Sequence, residues 1–213
     1  MANNCLITKL KASVNNPNLP YYGELKLSFF KQSEIWVAGS TSISVKDLSG
    51  DFVIPAGESE VSGTSVTLTV GEEHTVLIKS KYEVTALQGI YTYNLLNITD
   101  INTMPKLIHI YARITGDLSN LKENDNILSF KTTQDGLEGD IVNFAKFPGI
   151  TTLEISGCTG IHGTLESLFA AFPAAKTGTV TINANNCPDI TFGGKSAGNA
   201  TYTKSGNNWV KDV

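Results

Sequence analysis

The chain has 213 residues, 41% of them hydrophobic and 17% charged, with a net charge of −4. That is enough for one large or two small domains with a buried core, and too apolar for a disordered chain. The acidic balance and scattered lysines exclude the basic stripe of a nucleic-acid binder, and no run approaches the roughly 18 apolar residues of a membrane helix.

From the N-terminus, the first residues contain no apolar stretch. The expectation is a protein without a signal peptide, made in the cytoplasm and leaving it by lysis or inside a particle. Leu6, Thr8, Leu10, Ala12 and Val14 share one face of a strand. Asn15-Asn16-Pro17-Asn18 is strong turn chemistry, and Leu25 and Leu27 alternate with Glu24 and Lys26 as in a half-buried strand. This segment reads either as an ordinary edge hairpin or as an arm that docks on a partner.

Residues 31–90 read as all-β. Ile35, Val37, Ile43, Val45, Val66, Leu68, Val70, Val76 and Ile78 fall in short alternating runs, with Gly39, Gly50, Gly57, Gly63 and Gly71 between them. Such spacing predicts a small sheet or sandwich. Residues 65–70 and 75–78 read as two strands around a turn too long for a tight hairpin.

Beyond residue 90 a six-residue motif returns. It runs Gly116-Asp117-Leu118-Ser119-Asn120-Leu121, then Gly139-Asp140-Ile141-Val142-Asn143-Phe144, then Gly163-Thr164-Leu165-Glu166-Ser167-Leu168, the glycines 23 and 24 residues apart. A single repeat of this kind cannot bury its apolar face, but stacked neighbours can. About four copies are expected between residues 95 and 192. Leu107–Ile110 and Leu128–Phe130 supply strands of the earlier ones. Residues 200–213 predict a hairpin around Ser205-Gly206-Asn207, with Tyr202 and Trp209 free to cover the last repeat.

No catalytic motif occurs, and the expectation is a protein that is not an enzyme and takes no cofactor or metal. Cys5, Cys158 and Cys187 are too few and too widely spaced for a disulfide framework or a zinc site, and read as buried thiols. Asp117 and Asp140 recur at one repeat position, which invites a calcium reading. Thr164 in the third copy favours a solvated turn. The outward strand face is the expected contact surface, with His109, Ser129, Glu154 and Thr181 as its exposed residues.

The third copy carries a specific resemblance. Ile150, Leu153, Ile155, Cys158, Ile161, Gly163, Leu165 and Leu168 resemble the pattern of leucine-rich repeats, and the other copies resemble the degenerate BspA-type form. In that family an Asn or Cys hydrogen-bonds the turn backbone. Cys158 falls at this place, Asn185 is expected to fill it in the last copy, and Arg113 and Thr133 lie near it in the earlier ones. The opening Leu6-Ile7-Thr8-Lys9-Leu10-Lys11 and Asn18-Leu19-Pro20-Tyr21-Tyr22-Gly23-Glu24-Leu25 resemble the N-terminal segment of virion proteins of crAss-like phages of gut Bacteroides. The resemblance implies a head fibre or capsid decoration located in the virion and fastened to capsid or other virion proteins. Leu6, Leu10, Leu19, Pro20, Tyr21 and Tyr22 are its attachment candidates. It further implies a homodimer or homotrimer, with a host-surface glycan or protein as a further partner. The other reading is a host-encoded, adhesin-like repeat module that binds protein or glycan. The fold expected is mainly β. It comprises an anchoring segment (1–30), a β-sheet or sandwich domain (31–90), a short leucine-rich-repeat-like solenoid (91–195) and a C-terminal β-hairpin cap (196–213).

Overall fold

The computed structural model describes residues 22–27, 33–47, 61–70, 74–79, 84–89, 96–132 and 136–212. The fold is mainly β and built on two mixed sheets. Strands β1 (Tyr22–Leu27), β2 (Ser33–Asp47), β3 (Val61–Val70), β4 (His74–Lys79) and β5 (Val84–Gly89) come first. β2 is their joint. It pairs antiparallel with β3 along one edge, and with β5 and then β4 along the other. The strands either side of residues 71–73 are therefore not partners of each other: β3 pairs with β2, while β4 pairs with β1 and β2.

From β5 onward the chain alternates between two sheets. β5, β7 (His109–Tyr111), β9 (Ser129–Lys131), β11 (Thr152–Glu154) and β13 (Thr179–Ala184) lie parallel in the larger sheet. β6 (Leu96–Asn97), β8 (Ile114–Asp117), β10 (Leu137–Asp140), β12 (Gly160–Thr164) and β14 (Ile190–Phe192) lie parallel in the smaller one. The register sets Ala86, His109, Ser129, Thr152 and Thr181 side by side, in steps of 23, 20, 23 and 29 residues. The last step is longest: its return segment holds an α-helix, α2 (Leu165–Ala171), and a longer connection, residues 172–178, before β13, where the two passes before it hold 3-10 turns at Leu118–Asn120 and Ile141–Lys146. A short helix α1 (Ile98–Ile101) serves the first pass.

The recurring glycine motif has a physical cause. Gly116, Gly139 and Gly163 have φ of +113°, +105° and +113°, a conformation that side chains rarely adopt. The next residue, Asp117, Asp140 or Thr164, caps the helical turn that follows. Ser119 N–H donates to Asp117 Oδ1 at 2.7 Å, Val142 N–H to Asp140 Oδ1 at 2.9 Å, and Ser167 N–H to Thr164 Oγ1 at 3.1 Å. Asn97 does the same for α1 in a full capping box with Asp100. The third residue, Leu118, Ile141 or Leu165, is completely buried. Successive motifs also lie on top of one another. A Cβ on Gly139 would sit 2.8 Å from Asp117 Oδ1, and one on Gly163 would sit 2.7 Å from Asp140 Oδ1. The calcium reading of the two aspartates thus gives way to capping, and the Ser119 N–H and hydroxyl hold the Asp117 carboxyl below its ordinary value.

One buried cluster takes Ile110, Phe130, Leu153 and Ile182 from the larger sheet, Ile114, Ile161 and Ile190 from the smaller, and Leu118, Phe144 and Leu168 from the return segments. Val84 and Leu87 of β5 belong to the same cluster. Phe130, Phe144 and Phe147 meet at its middle, with ring centroids 5.0 to 6.3 Å apart. Lysines stitch the return segments together. Lys146 Nζ reaches Ser119 O at 2.9 Å, and Lys176 Nζ reaches Pro148 O and Ile150 O at 2.8 and 2.7 Å.

Both parallel runs end by reversing direction. β15 (Lys195–Ser196) returns antiparallel on β14 through Gly193-Gly194. β16 (Gly198–Ser205) pairs antiparallel with β13, and β17 (Asn208–Lys211) returns on β16. Ser205 pairs with Asn208, so the connection is Gly206-Asn207, tighter by one residue than the sequence suggests. Tyr202 is fully buried, and Trp209 stacks on Phe169 at 4.8 Å between centroids and 16° between planes.

Gly163→Ala is expected to cost about 2–3 kcal/mol, from backbone strain plus displacement of the Asp140 cap. Gly178→Ala, at φ +84° with open space around it, is expected to cost only the strain, about 1–2 kcal/mol. Urea unfolding of the two variants tests the ordering; equal losses would show that the stacking of glycine on cap is irrelevant. Because its folded-state pKa is depressed, Asp117 stabilises the fold above its ordinary value and loses that contribution as the pH falls through the folded one. The stability gap between wild type and Asp117→Asn is therefore expected to shrink from pH 7 to pH 3 in the same assay.

Candidate functional site

The outward side chains of the parallel strands form two parallel rows. The inward row Ile110, Phe130, Leu153 and Ile182 is buried. Because side chains alternate along a strand, the residues on either side of it face out. One outward row is His109, Ser129, Thr152 and Thr181, extended by Thr201 of β16. The other is Tyr111, Lys131, Glu154 and Asn183, extended by Asn199. Three of the four expected face residues, His109, Ser129 and Thr181, stand in the first row, and Glu154 stands in the second. Sequence reasoning missed Tyr111, Lys131, Thr152 and Asn183. The signal for them was present: each flanks an apolar residue at the centre of its strand.

The second row is internally connected. Lys131 Nζ lies 3.5 Å from Glu154 Oε2 and 5.9 Å from the centre of the Tyr111 ring. Tyr111 is 38% exposed, one of the few large apolar side chains at the surface among the described residues. In the first row the Thr181 and Thr201 hydroxyls share a hydrogen bond of 3.1 Å. Neighbouring strands lie about 4.8 Å apart, so each row offers polar groups at a fixed spacing on a rigid support. Such a face suits recognition of an extended partner by hydrogen bonds, one aromatic ring and one cation.

The return side presents a different feature, a cavity of about 410 Å³ bordered by Asn102, Pro105, Lys122, Asn124, Asn126 and Phe147. Its amides serve the fold. Asn102 donates to Asn120 O and accepts from Lys122 N–H, both at 2.8 Å, and Asn126 Nδ2 donates to Pro105 O at 3.0 Å. These asparagines tie one return segment to the next.

Of the attachment candidates, Leu6, Leu10, Leu19, Pro20 and Tyr21 lie outside the described residues, as do Cys5 and Thr133. Tyr22 opens β1, paired with Lys79 of β4. His109 and His162 are exposed on different sheets. The turn position of Cys158, five residues after Leu153, is filled in the next pass by Cys187, five after Ile182, and Asn185 is exposed beside it. The count from the strand identifies Cys187 where the count to the nearest asparagine had suggested Asn185. Among the described residues no group of three or more His, Cys, Asp or Glu side chains is placed to hold a metal ion. No described helix is long and apolar enough to cross a membrane. No protein-family model matches the sequence, and neither the curated proteins nor the solved structures give a significant match.

Lys131→Ala and Glu154→Ala are each expected to change stability by less than about 1 kcal/mol, because the pair is partly open to solvent and screened. Urea unfolding at low and high salt checks this; a larger loss would assign the row to the scaffold and not to a contact surface.

Proposed function

We propose that the protein is a non-enzymatic structural component of a phage virion, a head fibre or capsid decoration. In this reading the N-terminal segment fastens to the capsid. The strands up to β5 form a sheet or sandwich-like base, and a short degenerate leucine-rich-repeat solenoid projects outward, closed by the C-terminal hairpin. The observation that carries the reading is the placement of the first and last described strands. β1, which lies within the anchoring segment, is the first strand of the larger sheet, and β17 is its last. A sheet held at β1 thus presents β17 at its far edge. The sequence resemblance of residues 6–11 and 18–25 supplies the kind of particle.

A second reading, a host-encoded repeat module for protein or glycan, is favoured by the connected row Tyr111, Lys131 and Glu154. The two differ in oligomeric state and location. Immunogold labelling of purified particles is expected to place the protein on heads, and light scattering to give a dimer or trimer. Leu6→Asp/Leu10→Asp in the full chain is expected to abolish incorporation while leaving the circular dichroism spectrum unchanged. Particles without label, together with a monomer in solution, would overturn the virion reading.

A further inference from the structure

Cys158 and Cys187 occupy equivalent places in successive passes. Each follows an inward residue of the larger sheet by five positions, and the register pairs those residues, Leu153 with Ile182. The local backbone repeats as well. Gly157 and Asn186, immediately before the cysteines, have φ of +79° and +59°. Asn186 is the one non-glycine with positive φ among the described residues. Cys158 N–H donates to Ile155 O at 3.1 Å and Cys187 N–H to Ala184 O at 3.2 Å. Ile161 and Ile190 N–H then close back on the cysteine carbonyls, each at 3.3 Å. The two turns are therefore copies stacked one above the other, and the ladder between them continues as far as Gly157 N–H to Asn185 O at 2.8 Å.

The thiols share a neighbourhood as well as a register. The Cys187 thiol donates to Ile155 O at 3.1 Å, the same oxygen that accepts the Cys158 N–H at the same distance. The Cys187 sulfur therefore lies no farther from the Cys158 backbone nitrogen than twice that length. Both side chains are buried, at 0% and 1% exposure. Stacked strands stand about 4.8 Å apart, within the roughly 4.4–6.8 Å window of Cα separations that a disulfide bridges.

We propose that Cys158 and Cys187 form an oxidisable pair that closes into a disulfide between successive passes of the stack. The oxidant is a small-molecule disulfide, glutathione disulfide being the probe. One cysteine thiolate attacks a sulfur of the reagent, forming a mixed disulfide and releasing one glutathione thiolate. The second cysteine thiolate attacks the protein sulfur of that mixed disulfide, forming the Cys158–Cys187 bond and releasing the second glutathione. Two cysteine thiols are oxidised by two electrons, one reagent disulfide is reduced to two thiols, and the two protons pass to the released glutathiones. Burial makes the exchange slow, since the last pass must open for the reagent to enter. Once formed, the bond encloses β12, α2 and β13, a span with the same 29-residue offset as the longest of the four steps. It locks the end of the stack on transfer from a reducing to an oxidising medium. The chemistry stands independently of the virion reading.

The test uses the full chain carrying Cys5→Ser, so that the pair supplies both thiols. After overnight incubation with excess glutathione disulfide at pH 8, the intact mass is expected to fall by two hydrogens. Trypsin should release residues 147–176 joined to residues 177–195. Thermal unfolding is expected to shift upward by about 5–10 °C and to return to its starting value with dithiothreitol. Retained glutathione adducts, a bond between two chains, or an unchanged mass would each overturn the proposal.

Discussion

The stack depends on one contact repeated between passes: a glycine backbone in the left-handed region laid directly on the capping side chain of the pass before. A Cβ at Gly139 or Gly163 would reach to 2.8 or 2.7 Å of a cap oxygen. The cap itself must be a short oxygen-bearing side chain, because it answers the first free N–H groups of the turn that follows. The residue after the cap points inward and is buried. Three consecutive positions thus fix a backbone conformation, a helix start and a core contact at once. That is why this triplet survives where the rest of the repeat drifts. The unequal steps along the strands are absorbed in the return segments, which hold a 3-10 turn in some passes and an α-helix in others without disturbing it.

This constraint also explains how much could be read from the residues. The motif and the inward aliphatic positions were legible because each answers to a local rule: positive φ, capping, or period-two burial. The hairpin at Ser205–Asn208 was legible for the same reason. β5 was not recognised as a member of the parallel series. Its Val84, Ala86 and Leu87 are the apolar residues of an ordinary short strand, and only the register with β7 distinguishes it. Likewise β3 and β4 look like two arms of one hairpin in sequence, yet β2 separates their pairing. Its 15 residues are long enough to serve three partners. Strand partnership is a non-local property, and no residue in β3 or β4 encodes it.

The candidate face was half legible. Reading one outward residue per strand found His109, Ser129 and Thr181, which share a row, and Glu154, which does not. What decides the row is whether the chosen residue precedes or follows the inward apolar one, a matter of register. The connected trio of Tyr111, Lys131 and Glu154 became visible only once three strands were placed side by side. On the opposite side, the asparagines and lysines of the return segments spend their polar groups on neighbouring carbonyls. The return side thus spends its polar groups on backbone carbonyls, while the strand face pairs its polar side chains with one another.

The order of strands has a mechanical consequence. β1 and β17 stand at opposite ends of the larger sheet, so a pull between them runs across the strands, along the hydrogen bonds rather than perpendicular to them. Under such a load, strands peel away in succession instead of sliding past each other all together. Each pass grips only its neighbours, so tension is met by a series of small yields and not by a single rupture. A molecule stretched this way would dissipate work strand by strand and rewind from whichever passes remain, like a ratcheted tether more than a rigid peg.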